Sequence, residues 1–242
     1  MVVDNRSLAM VTGSAHRLGR AFAFKLARMG YAILLHYHES QKNAEVTADE
    51  IRTIGAPVSL FRADLTNPAE IQMLFKMVDS LPQKLAVLVN SAAIMQRSDI
   101  RDITVDDWDH ALNLNLRAPF LLAQKSAERM TGGGVIVNIT DVGAYKLWTG
   151  YITYTVSKSA LDMLTKLLAK IYAPGIRVNA IAPGLVLPSD NVSTNEWEKL
   201  VNRLPLKRKT TEDDITSALE YIIRNEAVTG QTIEVDGGYS LL

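Results

Sequence analysis

Tyr154 and Lys158 lie four residues apart in the stretch Tyr151-Ile152-Thr153-Tyr154-Thr155-Val156-Ser157-Lys158, which reads as the opening of a long helix. At that spacing two side chains share a helix face, one turn apart. A free phenol has a pKa of about 10. A neighbouring cation favours the phenolate and lowers that value by roughly 1–3 units. Such a pair would give and take a proton near neutral pH. The same spacing also suits an ordinary surface pair, so the rest of the chain has to decide between the two.

A second stretch with chemical potential is Thr12-Gly13-Ser14-Ala15-His16-Arg17-Leu18-Gly19-Arg20, which follows a short apolar run. Gly13 suits a tight exit from a strand, and Gly19 would let a helix pack closely on the sheet. Amides at the start of a helix attract an anion, here a pyrophosphate. The middle glycine of the usual pattern is absent, and Arg17 stands near its place. An ordinary strand-to-helix turn with incidental glycines is the alternative. Four histidines (His16, His36, His38 and His110) are scattered without acidic partners at ligand spacing, which predicts packed or solvated rings and no metal site.

The elements that must position these groups alternate along the chain. Strands are expected at 8–12, 31–37, 57–61, 85–89, 135–139, 176–181 and 232–235. Helices are expected from about 18 to 29, 41 to 54, 68 to 80, 105 to 130, 151 to 172, 195 to 203 and from 211 onward. Thr66-Asn67-Pro68 supplies an N-cap followed by proline at N1. Pro119 falls inside the long 105–130 stretch and should kink it. The strand at 85–89 is apolar on both faces and so central and parallel. This order predicts a doubly wound α/β fold of Rossmann type with a seven-stranded, mostly parallel sheet, as one domain spanning 1–242. Ligands of such sheets bind beyond the carboxyl ends of the strands, where the strand order switches.

The bulk composition bounds the function. The chain has 242 residues, 48% apolar, with 26 Lys+Arg against 26 Asp+Glu and no cysteine. A net charge of zero suggests neither a nucleic-acid nor a membrane-surface partner. Without cysteine there is no thiolate nucleophile, disulfide or thiolate metal site. Met1 to Arg6 carries an early acid and no signal-length apolar run, and no segment approaches the ~20 apolar residues of a membrane span. A soluble cytoplasmic protein is the expectation.

Taken together, these motifs resemble a classical short-chain dehydrogenase/reductase along the whole chain. Thr12-Gly13 to Gly19 is similar to that family's cofactor turn, and Asp64-Leu65 to its adenine-side acid. Asn90-Ser91-Ala92-Ala93 is similar to its Asn-Asn-Ala-Gly stretch, with the second Asn and the Gly replaced. Asn115 matches its active-site asparagine, Tyr154 and Lys158 its catalytic pair, and Pro183-Gly184 its nicotinamide-side turn. The resemblance implies a cofactor half to about 140, a catalytic helix and substrate loop over about 141–211, and a homotetramer. It also implies that Gly13, Ser14, Arg17, Leu18, Gly19, Tyr37, His38, Ser40, Asp64, Leu65, Asn90, Ala92, Pro183, Gly184 and Val186 hold the cofactor with Tyr154 and Lys158. Asn115 would anchor a water that links Lys158 to solvent.

Within the family the similarity is greatest to pteridine reductases. Arg17 in place of a glycine, the stretch Gly30-Tyr31-Ala32 to His36-Tyr37-His38, and Asp141 thirteen residues before Tyr154 all resemble that subgroup. Most family members have serine at the last position, where it donates to a ketone oxygen. An ionised Asp141 can only accept and would suit a ring presenting N–H groups; capping the loop is its bland alternative. Met95 stands where an aromatic would stack on a pterin, Glu39 where an arginine would meet a 2′-phosphate, and Val186 and Pro188 where hydroxyl residues often contact the cofactor. NADPH is favoured over NADH because Tyr37 occupies the place of the ribose-binding acid, with Arg17, His38 and Ser40 nearby. Met95, Asp141, Tyr145, Trp148, Tyr151, Tyr154 and Trp197 are expected around a small-molecule substrate. Tyr151 also has the spacing from Lys158 that the family's enoyl reductases use, but is read as a pocket wall. The expected reaction is hydride transfer to a C=N or C=O carbon, best of a pterin or folate-like ring. A carbonyl or alcohol oxidoreductase acting on a sugar, steroid or 3-oxoacyl substrate, or a non-catalytic dinucleotide sensor, would use the same fold.

Overall fold

The computed structural model describes residues 6–188 and 193–242. The N-terminal reading of residues 1–5 and the part of the substrate loop at 189–192 lie outside them. Seven strands, β1 (Leu8–Val11), β2 (Ala32–Tyr37), β3 (Val58–Arg62), β4 (Leu85–Asn90), β5 (Gly134–Ile139), β6 (Ile176–Pro183) and β7 (Thr232–Val235), form one sheet in the order β3-β2-β1-β4-β5-β6-β7. Every neighbouring pair runs parallel, so the sheet is wholly rather than mostly parallel. Both faces of its centre are covered, which is why β1 and β4 read as unbroken apolar runs.

Helices α1 (Arg17–Arg28), α2 (Gln41–Thr53) and α8 (Glu212–Arg224) cover one face. There Phe22, Leu26, Ile51, Ile215 and Leu219 meet the odd-facing side chains of β1 and β4. Helices α3 (Pro68–Ser80), α5 (Ala118–Ala127) and α6 (Ile152–Tyr172) cover the other, through Leu74, Phe75, Leu122 and Leu168. Each fully buried Leu or Phe among them contributes roughly 1.5–3 kcal/mol relative to exposure. Caps fix several entries. Asn67 accepts from the Ala69 N–H ahead of Pro68, and Thr211 forms a reciprocal capping box with Asp214. Among the described residues no helix is long and apolar enough to cross a membrane.

The long 105–130 helix is not continuous. Helix α4 (Val105–Leu112) passes into a π turn at Asn113–Arg117, and α5 starts with Pro119 in its first turn. Proline lacks the N–H that an α-helical ladder needs, and the widened turn just before it absorbs the mismatch. The interruption carries Asn115. A last helix, α7 (Thr194–Arg203), packs over the carboxyl side of the sheet with Trp197 and Leu200 toward the cleft there. Strand order reverses direction between β1 and β4, which places that cleft where the fold binds ligands.

Candidate active site

The turn after β1 is built by contacts that only glycine permits at two points. Gly13 has φ +62°, and a β-carbon there would stand 2.9 Å from Ala92 Cα. A β-carbon on Gly19 would collide with the carbonyl oxygen of Gly13, so α1 presses directly on the turn. Thr12 Oγ1 accepts from the Ser91 and Ala92 N–H groups, at 3.0 Å each, and so ties this turn to the one after β4. Arg17 is left-handed at φ +52°, a conformation that costs a non-glycine residue about 1–2 kcal/mol. Its guanidinium lies 3.5 Å from the carbonyl oxygens of Leu187 and Pro188, on the cleft wall.

Not every residue expected here faces the cleft. Ser14 is fully buried, and its hydroxyl donates back to the Val11 carbonyl at 2.8 Å. Asn90 also turns inward: its amide donates to Asn138 Oδ1 at 2.8 Å, and Asn138 donates to Thr165 Oγ1 of α6. Both therefore brace the site from behind. A residue without an expected role, His36, does line the cleft. The Gly13 N–H donates to its Nδ1 at 3.1 Å, and its Nε2 bonds the Ala63 carbonyl oxygen at 3.0 Å. Burial pulls its pKa down to about 4, so the ring is neutral and the Nε2–H tautomer is fixed. Its only trace in the sequence is a histidine inside an apolar strand.

Gly13, Arg17, Leu18, Gly19, Tyr37, His38, Ser40, Asp64, Leu65 and Ala92 line one end of the cleft, with Glu39 among them. The Ser40 hydroxyl makes no capping bond to α2, although it stands at the N-cap. Asp64 Oδ1 accepts from the N–H and hydroxyl of Thr66, at 2.8 and 2.7 Å. Pro183, Gly184 and Val186 line the middle; a β-carbon on Gly184 would stand 2.6 Å from Asp236 Cα. The glycine-lined cradle, with arginine, histidine and serine donors at the β2 end, fits a phosphorylated dinucleotide. The whole cleft holds about 1130 Å³. That exceeds the usual range of roughly 300–1,000 Å³ for one small ligand and leaves room for a second beside the first.

Tyr154, in the first turn of α6 and only 6% exposed, donates its hydroxyl to Asp141 Oδ2 at 2.7 Å. Asp141 Oδ1 accepts from the Gly143 N–H at 2.7 Å and caps the short turn Val142–Ala144. Capping and facing the cleft are thus compatible roles of one carboxyl. Lys158 Nζ donates to the Ile139 carbonyl at 2.7 Å and sits 5.7 Å from the centre of the Tyr154 ring. The expected acidification of the phenol is not what this arrangement produces. Burial first, then the charge of Asp141, holds the Tyr154 hydroxyl well above its ordinary value. The ammonium is directed at a backbone carbonyl, whereas the carboxyl touches the phenol. Burial raises Asp141 despite its bonds to Gly143 and Tyr154. Burial also lowers Lys158 to about 8, against the opposing pull of Asp141.

Asn115 is buried off the cleft wall. Its Oδ1 accepts from the Ile94 N–H and its Nδ2 donates to the Ile94 carbonyl, both at 2.9 Å, and to Ser157 Oγ at 3.0 Å. The side chain links the segment after β4 to α6. Met95, Trp148, Tyr151 and Trp197 line the cleft as expected. Trp148 meets Tyr151 edge-on at 6.0 Å and occupies the space that a β-carbon on Gly143 would need. Tyr145 does not belong to this wall; its hydroxyl donates to Asp162 Oδ1 at 2.9 Å. Tyr239, beyond the last strand, takes a place on it, 6.3 Å from Trp148, with Lys146 donating to its carbonyl at 3.0 Å. Nothing in the local pattern near Gly237-Gly238 signals that return.

Comparison with known proteins places this geometry. Residues 13–240 match the family model described as enoyl-(acyl carrier protein) reductase. The 3-oxoacyl-[acyl-carrier-protein] reductase FabG of Staphylococcus aureus is 32% identical over 237 residues, 95% of this chain and 96% of its own. The oxidoreductase YgfF of Escherichia coli is 29% identical over 245 residues, 96% and 99% of the two chains. The structure of FolM alternative dihydrofolate reductase 1 from Brucella canis, complexed with NADP, superposes with a TM-score of 0.93 at 32% identity, over 99% of this chain and 96% of that one. The Brucella suis FolM structure, also with NADP, gives 0.93 at 33%, over 100% and 97%.

Proposed function

The chain belongs to the short-chain dehydrogenase/reductase family of NAD(P)-dependent oxidoreductases, and on that premise we propose that it is an NADPH-dependent reductase of a pterin or folate-like ring. The observation that carries the reading is the carboxyl of Asp141 bonded to the hydroxyl of Tyr154 inside the cleft. A ketone would need a donor at that position, whereas a ring with N–H groups needs an acceptor. The likeness to the FolM structures supports the same choice.

A nicotinamide held in the cleft by the turn at 13–19 and by Pro183-Gly184 would supply a hydride for the carbon of a C=N bond. Tyr154 would give its proton to the nitrogen, Asp141, which accepts from the Tyr154 hydroxyl in the resting site, would orient the ring, and a proton from solvent would restore the phenol. Lys158, which donates to the Ile139 carbonyl, would hold the ribose hydroxyls of a bound cofactor, and its charge would offset the developing phenolate. Asn115, on the π turn, ties the segment after β4 to Ser157 of α6 and would anchor a water that links Lys158 to solvent. Arg17, His38 and Ser40 favour the 2′-phosphate of NADPH, while Tyr37 offers no charge against it and Glu39, exposed on the same wall, opposes it. We further propose one catalytic domain, assembled as a homotetramer and working in the cytoplasm.

The identity to FabG favours a second reading, reduction of a 3-oxoacyl thioester. NADPH oxidation measured with dihydrobiopterin or dihydrofolate beside acetoacetyl thioesters and simple ketones separates the two. Turnover of a reduced pterin that Tyr154→Phe abolishes, with NADPH binding retained by calorimetry, is the expected result. Turnover of ketones and thioesters alone would remove the pterin reading.

A further inference from the structure

We propose that Arg97 is a specificity-determining residue that receives the anionic far end of the substrate, a carboxylate on a ring-and-linker molecule. The proposal rests on the pterin or folate reading above. Arg97 lies on the exposed rim of the cleft, two residues beyond Met95. Its segment is pinned to the mouth of the site, because the Ser98 N–H donates to the Gly150 carbonyl at 3.0 Å. The side chain runs over Gly150, with Nε 3.5 Å from where a β-carbon on that glycine would stand. A β-carbon at 150 would make ordinary contact with that side chain.

The order of groups along the cleft matters. Asp141 and Tyr154 form a polar floor. Tyr151 stands three residues nearer the mouth, roughly 4.5 Å along a helix axis. Gly150, with Arg97 across it, comes next. Met95, Trp148 and Trp197 make the walls apolar. A polar floor, apolar walls and a cationic rim match a heterocyclic head, an apolar linker and a terminal anion. Among the described residues no carboxylate stands within ion-pair distance of Arg97. Glu196 of α7 feels its charge, but that carboxylate is bonded to the N–H and hydroxyl of Ser193, at 3.0 and 2.7 Å. The guanidinium fork is therefore open to a ligand, and it pairs with carboxylate or phosphate in two parallel bonds. A benzoylglutamate tail or the phosphate of a pantetheine thioester could supply the anion.

Two substrate pairs, each with one anionic and one uncharged tail, distinguish the sources: dihydrofolate with dihydrobiopterin, and acetoacetyl-coenzyme A with acetoacetyl-N-acetylcysteamine. For Arg97→Ala at saturating NADPH, the ratio of KM for dihydrofolate to KM for dihydrobiopterin should rise about tenfold, the scale of one lost charge-assisted bond. Salt should erode the wild-type ratio toward that of the variant. Arg97→Lys should restore part of it. Pterin turnover with an unmoved ratio overturns the assignment of Arg97 and leaves the pterin reading standing. Turnover of the thioester pair alone, with its ratio shifted in the variant, supports anion binding by Arg97 and removes the pterin reading. Turnover of neither pair overturns both.

Discussion

Asp141 governs the charge state of its neighbours more than Lys158 does. It pushes the Tyr154 phenol up and, in the opposite sense, props up the Lys158 ammonium against burial. Lys158 titrates near pH 8, and the proposed mechanism uses its charged form. The value of kcat/KM for NADPH, which reports the free enzyme, should therefore fall as pH rises through about 8. Asp141→Asn removes the carboxylate that raises Lys158, so the same fall should begin at a lower pH. A limb that stays in place or moves upward would contradict this account. The pairing of Tyr154 with Lys158 was legible in their spacing, and the place of Asp141 near them came from the family resemblance. The direction of the phenol's shift was not, because it depends on Lys158 choosing the Ile139 carbonyl, a contact across the fold. The inward turn of the Ser14 and Asn90 side chains is illegible in the sequence for a related reason: turns have no periodicity that tells which way a side chain points.

At the level of elements, His36 clamps three strand ends. It sits on β2, holds Gly13 after β1, and holds Ala63 after β3. Its folded pKa of about 4 lies below the ordinary 6.5, so the unfolded chain binds the extra proton between those values. Stability should then fall as pH drops from about 6.5 toward 4, by up to roughly 3 kcal/mol from this one ring. Urea unfolding of wild type and His36→Asn at pH 7 and pH 4.5 tests it. The variant should lose less between the two pH values, and its weaker hold on Gly13 should raise the Kd for NADPH. Equal losses in both proteins would show that the ring is not the source. Element types and caps were readable here, because Asn67-Pro68 and Thr211 to Asp214 act locally. The break at residues 113–117 was only half readable: Pro119 warned of a fault, but the π turn that answers it precedes the proline.

Across the whole molecule, alternation of strands and helices was enough to predict a parallel doubly wound sheet. The strand order that creates the switch between β1 and β4 is a long-range property and came only with the fold. The outer face of α4–α6 shows what the sheet leaves uncovered. Leu112, Leu116, Phe120, Met163 and Leu167 line an almost wholly apolar groove, with Met163 57% and Leu167 52% exposed. An apolar stripe of that kind suits a second copy of the chain. Sedimentation of the wild type should give an oligomer, and Leu167→Glu should shift it to a smaller species. A monomeric wild type would dismiss the proposed tetramer.

Two of the protein's three tryptophans, Trp148 and Trp197, stand on the wall of the cleft, while Trp108 lies on α4 away from it. The chain is thus wired with its own optical gauge. If the proposed reduced nicotinamide binds in that cleft, light absorbed by those indoles should pass to it and emerge as its blue emission, and the signal should vanish as the dinucleotide is oxidised.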